Sequence, residues 1–299
     1  MMERKIMTYE EFVLKVKDCL QEGFAPFGNV EIRTAYKNNG KLRTGVSFCE
    51  EGESISPIIY LEEYYEKFQM GIPMEQLAME VRNLYEKIKV DHRWEGTFIL
   101  DYKNVKDRII YKLVNRQKNK ELLKEIPHIP YLDLEIVFCV LVETDMDEGR
   151  IATMLIRLEH LKHWDVSEGE IYRQAFKNTE KLMPADLQTL CAVLEETPEF
   201  EREDFSEGEC MYVLTNRLRN FGAATILYED RLKIIHMCFG ENFYILPSSI
   251  HEVILLPESQ AMDKSELSKI VKDINETQVK EEEVLSDIAY YFDGEKVVM

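Results

Sequence analysis

At 299 residues the chain is long enough for one large domain or two ordinary ones. Its 45% apolar residues, with 15 tyrosines, 14 phenylalanines and two tryptophans, supply a substantial core and exclude a disordered chain. With 37 basic against 56 acidic residues the net charge is −19, which opposes non-specific binding to nucleic acid or anionic membranes.

In chain order, "TYEEFVLKVKDCLQEGF" opens with a capping box, Thr8 and Glu11, and predicts a helix running to Gly23. Phe12, Val16, Cys19 and Leu20 form its apolar stripe. "NVEIRTAYKNNGKLRTGVSFCEE" alternates around Asn39-Gly40, a hairpin signal. "SISPIIYLEEYYEKFQMG" predicts a short strand leading into a helix. "PMEQLAMEVRNLYEKIKV" predicts a helix, with Pro73 at its start and Leu77, Val81, Leu84 and Ile88 on one face.

"VKDRIIYKLVNRQKNKELLKEIPHIP" reads as mostly helical up to Pro127. "YLDLEIVFCVLVE" reads as a central strand, and "GRIATMLIRLEHL" as a strand running into a turn or helix. Ser167 and Glu170 cap a further helix, and Pro184 with Asp186 start another to Glu196. After it come a strand at "CMYVLTN", a helix at "FGAATILY", and a helix or strand at "RLKIIHMCFG". "FYIL" and "HEVILLP" form a strand pair, Asp263 and Glu266 cap a helix to Asn275, and "TQVKEEEV" reads as a linker. Strands and helices mix without a βαβ cadence. The expected fold is therefore α+β, a mixed or antiparallel sheet with helices packed on it, in two lobes. The expected domains are 1–103, an N-terminal α+β unit, and 104–299, a C-terminal α+β domain with central apolar strands.

Six cysteines are scattered singly, without a CxxC pair, and Cys139 lies within an apolar run. This is the pattern of a reduced protein rather than a disulfide scaffold. "MMERKIMTYEEFV" has no apolar h-region, and no run of 18 apolar residues occurs, so a cytoplasmic protein without a membrane span is expected. Acid is concentrated in "EETPEFEREDFSEGE", where eight carboxylates accompany one arginine. That run reads as a solvated loop or as a docking surface for a basic partner protein.

The sequence contains no Walker A loop, no GxGxxG, no GxSxG elbow and no HExxH, and no cofactor is expected. "FYILPSSIHEVILLP" carries the catalytic candidates Ser249, His251 and Glu252, with Ser248 beside them. If 250–256 is extended, His251 and Glu252 point to opposite faces and cannot pair as base and orienter. Ser249 and His251 share a face, so a Ser–His dyad would need an oxyanion hole and an orienting carboxylate from elsewhere, with His128, Asp133 or Glu252 brought in from other strands. The other readings are a structural turn and network, and a binding pocket, for which Asn115, Asn119, His128, Asp133, Asn216 and Ser248 are the binding candidates.

"PHIPYLDLE" places Asp133 and Glu135 at i, i+2 on one strand face, five and seven residues after His128. That set makes a weak metal candidate beside a purely structural reading. His160 and His163 in "EHLKHW" have a helical metal spacing, with a surface turn as the alternative. Asn115 and Asn119 in "LVNRQKNKELL" stand at i, i+4, where two amides on one helix face would fix an adjoining loop.

Together "YLEEYYEKFQMG", "KLVNRQKNKELL", "PHIPYLDLEIVF", "AFKNTEKLMP", "MYVLTN", "GAATILY" and "FYILPSSIHEVILLP" resemble an uncharacterised family from intestinal anaerobic bacteria, a domain of unknown function. The likeness runs from about residue 8 to 262. It implies that Asn115, Asn119, Pro127, His128, Asp133, Asn216, Gly222 and the segment Pro247 to Glu252 match the family's pattern. It implies a bacterial cytosolic origin in the company of mobile-element genes. It implies no activity, cofactor or catalytic assignment.

The expected function is that of a non-enzymatic interaction or accessory protein using an acidic surface. The alternative is a hydrolase or small-ligand enzyme built on Ser249 and His251.

Overall fold

The structure, a computed structural model, describes residues 7–50, 56–88, 96–145, 150–195 and 211–299. The acidic run 195–209, apart from Glu195, and Cys210 lie outside the described residues. Two compact units divide the chain: residues 1–37 with 41–101, and residues 38–40 with 102–299.

In the first unit, Thr8 accepts from the Glu11 N–H and Glu11 reaches back to the Thr8 N–H, so the expected capping box starts α1 (Tyr9–Phe24). An antiparallel sheet follows in the order β1 (Gly28–Tyr36), β2 (Leu42–Glu50), β3 (Ile58–Tyr60). Then come α2 (Glu62–Gln69), α3 (Met74–Ile88) and α4 (Gly96–Leu100). Phe12, Val16, Leu20, Val46, Phe48, Leu77, Val81 and Tyr85 form one buried cluster. Its centre is the stacked pair Phe48 and Tyr85, with ring centroids 4.2 Å apart. Cys19, expected on the apolar stripe of α1, is exposed instead. The buried stripe of α1 is centred on Val13, Val16, Leu20 and Phe24, which leaves Cys19 at its edge, facing solvent.

The second unit opens with α5 (Tyr102–Val105) and β4 (Ile109–Asn115). Here the expected long helix up to Pro127 is wrong. Residues 109–115 pair in continuous antiparallel register with β6 (Leu134–Asp145), from Ile109↔Val140 to Asn115↔Leu134. Within that stretch a 3₁₀ turn covers Lys106–Arg108, and between β4 and β5 (His128–Tyr131) the helical segment is the short α6 (Lys120–Leu123). β5 turns straight into β6 through Leu132 and Asp133, with Leu132 at φ 52°. β7 (Arg150–Leu155) joins β6, followed by α7 (Leu158–Trp164) and α8 (Glu168–Leu182). α8 starts at Ser167, whose side chain accepts from the Glu170 N–H, and covers one face of β4. There Thr179 Oγ1 accepts from the Tyr111 N–H at 3.1 Å.

The remaining elements are β8 (Ala185–Thr189), α9 (Leu190–Glu195), β9 (Tyr212–Asn216), α10 (Arg231–Phe239), β10 (Phe243–Leu246), β11 (Val253–Pro257), α11 (Lys264–Thr277), β12 (Tyr290–Phe292) and β13 (Val297–Val298). They build a six-stranded antiparallel sheet in the order β13-β12-β10-β11-β9-β8. The helix expected from Pro184 to Glu196 is thus a strand over Ala185–Thr189, fixed by pairing with β9, and helical only from Leu190. Residues 222–227, expected as a helix, form a 3₁₀ turn. β10 and β11 pair as expected, and Asp263 caps α11 by accepting from the Ser265 N–H. The fold is α+β, with antiparallel sheets and packed helices, as the sequence predicted.

Candidate functional site

"PSSIHE" does not start a strand at residue 250: β11 begins at Val253. Pro247 to Glu252 form an irregular crossing between β10 and β11, and it is paired with a remote segment. Leu285 N–H donates to the Ser248 carbonyl (3.0 Å) and Ser286 N–H to the Pro247 carbonyl (2.9 Å). Ile250 N–H donates in the opposite direction, to the Glu283 carbonyl (2.9 Å). Ser249 and Val284 are bridged antiparallel. The stretch expected as a linker, 277–284, is exposed at Thr277, Gln278, Lys280 and Glu281 but turns inward at Val284, which is buried together with the following Leu285 and Ser286.

A buried irregular segment must find partners for its backbone groups, and 281–286 finds them in side-chain amides. Asn39 Nδ2 donates to the carbonyls of Glu281 and Val284, at 2.8 and 2.7 Å. Asn38 Nδ2 donates to the Glu282 carbonyl, Asn115 Nδ2 to that of Leu285, and Asn275 Nδ2 to that of Ser286. With Ile250 on Glu283, six consecutive carbonyls are satisfied. Asn39 and Asn119 also exchange hydrogen bonds. Asn119 Nδ2 donates to Asn39 Oδ1, and Asn39 N–H donates to Asn119 Oδ1. Asn39, at φ 61°, occupies a left-handed turn position that asparagine tolerates.

Asn115 and Asn119 do not share a helix face. Asn115 ends β4 and Asn119 precedes α6, and the two meet because Asn119 Nδ2 donates to the Asn115 carbonyl at 2.8 Å. Asp133, in the β5–β6 turn, accepts from Ser286 Oγ (2.7 Å) and from Tyr290 Oη (2.5 Å). Burial first, then the Asp133 charge, pushes the Tyr290 hydroxyl far above its ordinary value.

Glu135 goes elsewhere. It is buried, and Arg116 Nε donates to its Oε1 at 2.6 Å, while its Oε2 has no hydrogen-bond partner. Turn and strand thus separate the two carboxylates expected on one face. His128 Nδ1 donates to the Ile126 carbonyl at 3.0 Å. His160 Nδ1 accepts from the Arg157 N–H, and its ring stacks on Trp164. Among the described residues no group of three His, Cys, Asp or Glu side chains is placed to hold a metal ion. Asn216 closes its own turn, with Nδ2 donating to the Asn220 carbonyl and Oδ1 accepting from the Leu218 N–H.

Ser249 is buried, and its Oγ accepts from the His251 backbone N–H at 3.0 Å. The His251 ring faces away from it. Nδ1 accepts from the Phe221 N–H at 3.4 Å, and Nε2 lies 4.0 Å from Glu283 Oε1. Phe221 lies nearly parallel to the imidazole, with centroids 6.0 Å apart, and Lys112 Nζ stands 4.3 Å from the Phe221 ring centre.

Phe221 holds φ 53°, an uncommon value for an aromatic residue. Next to it Gly222 lets two chains touch: a Cβ there would stand 2.4 Å from the His251 carbonyl oxygen and 2.1 Å from Thr215 Oγ1. Sequence reasoning missed Phe221, Lys112 and Glu283, because their only link to His251 is tertiary. Burial raises the Glu252 carboxyl above its ordinary value; His251 and the Ser249 hydrogen bond pull it down, and Glu283 raises it further.

Two cavities lie apart from this cluster. One of about 280 Å³ in the first unit is lined by Tyr60, Tyr64, Arg43, Lys67 and Leu84. One of about 390 Å³ in the second is lined by Tyr131, Tyr228, Arg231, Phe292 and Lys296. No helix among the described residues is long and apolar enough to cross a membrane.

Fold and cluster together define an α+β protein in which a network of asparagines fixes a remote segment against the serine-histidine crossing. The chain belongs to the Family of unknown function (DUF5688), whose sequence model matches residues 9–294. No curated protein and no solved structure matches it.

Proposed function

We propose that this protein is a cytoplasmic interaction or accessory protein that binds a basic protein partner through its acidic surplus. The observation that supports this reading most is the state of Ser249. Its side chain is buried, its Oγ accepts from a backbone N–H, and the His251 imidazole is turned towards Phe221 and Glu283. A nucleophile needs its base within hydrogen-bond reach and an open approach. The candidate dyad here serves the crossing instead. The surplus of 56 acids over 37 bases favours a cationic partner and disfavours nucleic acid. Within this reading, residues 1–103 and 104–299 act as two domains, and limited proteolysis would cut between them.

Native mass spectrometry of the protein purified gently from the cells that make it tests the proposal. The expected species is the 35.3 kDa chain plus a second protein, dissociating as salt shortens the Debye length. A bare chain that reacts with a fluorophosphonate probe, with labelling lost in Ser249→Ala, would instead establish the hydrolase reading.

A further inference from the structure

β1 is an edge strand: β2 lies on one side of it, and no strand among the described residues lies on the other. The alternation of an antiparallel ladder fixes which of its backbone groups face outward. Lys37 N–H donates to the Lys41 carbonyl, and Leu61 N–H takes the carbonyl of Thr44, which stands opposite Thr34. The odd-numbered residues of β1 therefore bond β2, and the N–H and C=O groups of Val30, Ile32, Thr34 and Tyr36 point to the open side.

Gln21 of α1 occupies the start of that edge, accepting from the Val30 N–H at 2.7 Å and donating to the Gly28 carbonyl at 3.2 Å. From there α1 crosses the sheet, so that Tyr9 at its other end donates to the Thr44 carbonyl on β2. The rest of the edge is left uncovered. Among the described residues no hydrogen bond reaches the outward groups of Ile32, Thr34 and Tyr36. Their side chains share one face, where Ile32 is 37% and Tyr36 77% exposed, with Leu42 beside Tyr36 on β2 at 51%. Residues 32–36 contain no proline, no glycine and no charge on that face, the usual means of keeping an edge from pairing.

We propose that this edge pairs with the same edge of a second copy, antiparallel and about a two-fold axis at Thr34. Ile32 then bonds Tyr36 of the other copy, Thr34 bonds Thr34, and the two exposed apolar side chains form an aromatic–β-branched cross-strand pair on each side of the axis. On the opposite face Glu31 meets Lys37 of the other copy, and Arg33 meets Ala35. The neighbouring registers are worse. An axis at Ile32 draws in the Val30 N–H that Gln21 already holds. An axis at Arg33 opposes Arg33 to itself, and one at Ala35 opposes Arg33 to Lys37. Residues 31–37 carry one carboxylate and two cations in a chain of net charge −19, so the copies meet away from their acidic excess. The pairing goes beyond the partner reading and does not depend on it.

Sedimentation velocity of the full chain between about 5 and 200 µM should show the 35.3 kDa chain converting to a species of twice that mass. Thr34→Pro removes the central N–H, which β2 does not use, and should leave the circular dichroism unchanged while the protein stays monomeric. Glu31→Lys and Lys37→Glu each set like charges across the axis and should each weaken the dimer about tenfold. An equimolar mixture of these two variants should dimerise again, because each cross-strand pair is then a cation against a carboxylate. A monomer at every concentration overturns the proposal. So does a folded Thr34→Pro that still dimerises, or a mixture no more dimeric than its components. A chain that is monomeric alone and joins only a different protein, with that complex lost in Thr34→Pro, overturns it in favour of a heterologous strand. If Thr34→Pro does not fold, the charge variants and their mixture decide.

Discussion

The Asn115 side-chain amide donates to the Leu285 carbonyl at 2.8 Å, joining the end of a central strand to a segment 170 residues away in sequence. The same side chain accepts from the Lys118 N–H at 2.9 Å, so both ends of the amide are used. An alanine here leaves the Leu285 carbonyl without that donor, and an aspartate adds a carboxylate facing it. Asn115→Ala should cost about 1–3 kcal/mol in urea unfolding, and Asn115→Asp more, although aspartate preserves the cap on Lys118. A smaller loss for Asn115→Asp than for Asn115→Ala would show that the Lys118 side of the amide carries the stabilisation.

Gly222 is required by close approach rather than by backbone torsion. Any Cβ there meets backbone on two sides, the His251 carbonyl at 2.4 Å and the Asn216 nitrogen at 2.8 Å, as well as Thr215 Oγ1. Backbone cannot rotate away as a flexible side chain can. Gly222→Ala should therefore destabilise by about 1–3 kcal/mol or more. It should also weaken the Thr215 Oγ1 hydrogen bond to the His251 carbonyl, now 2.7 Å. A melting temperature within a degree of the parent's would refute this.

Part-buried phenols should set the alkaline limit. Burial pushes Tyr131 up to about 12, and Tyr102 and Tyr172 reach about 12 through burial and neighbouring glutamates. A raised phenol favours the folded state below the ordinary value of about 10, and that contribution is lost as the pH climbs through the folded value. Stability should fall between about pH 10 and 12. Absorbance at 295 nm and far-ultraviolet circular dichroism should then change together. Full phenolate absorbance near pH 10 with unchanged dichroism would contradict it.

The helices that announce themselves locally were legible in the sequence. Thr8 with Glu11, Ser167 with Glu170, and Asp263 all cap where expected, because a cap needs only residues three apart. β4 was not legible. Ile109, Ile110, Leu113 and Val114 fall at helical spacing, and only pairing with β6 makes them a strand. The candidate residues were found but their work was not. Asn115, Asn119, Ser248 and Asp133 all act on or beside residues 281–286, and nothing in their own neighbourhood names that partner. Ser249 and His251 share a short stretch, yet the Phe221 N–H and Glu283 decide where the imidazole points.

Arg116 and Glu135 make a pair whose two halves are unequally buried. The Glu135 side chain is 5% exposed and that of Arg116 33%. Removing the cation strands a buried carboxylate whose second oxygen already lacks a partner. Arg116→Ala should cost on the order of 2–3 kcal/mol, below the roughly 3–5 of a fully enclosed pair because water reaches the arginine. Arg116 Nη2 also donates to the Leu134 carbonyl, so part of that loss is independent of Glu135. Adding Glu135→Gln to Arg116→Ala should restore about 1 kcal/mol or more, since a neutral amide is less costly to bury than an unpaired charge. A double-mutant cycle in urea measures this directly. If the double variant is no more stable than Arg116→Ala, the Leu134 carbonyl and the packing of the arginine stem account for the loss, and the ion pair contributes nothing net.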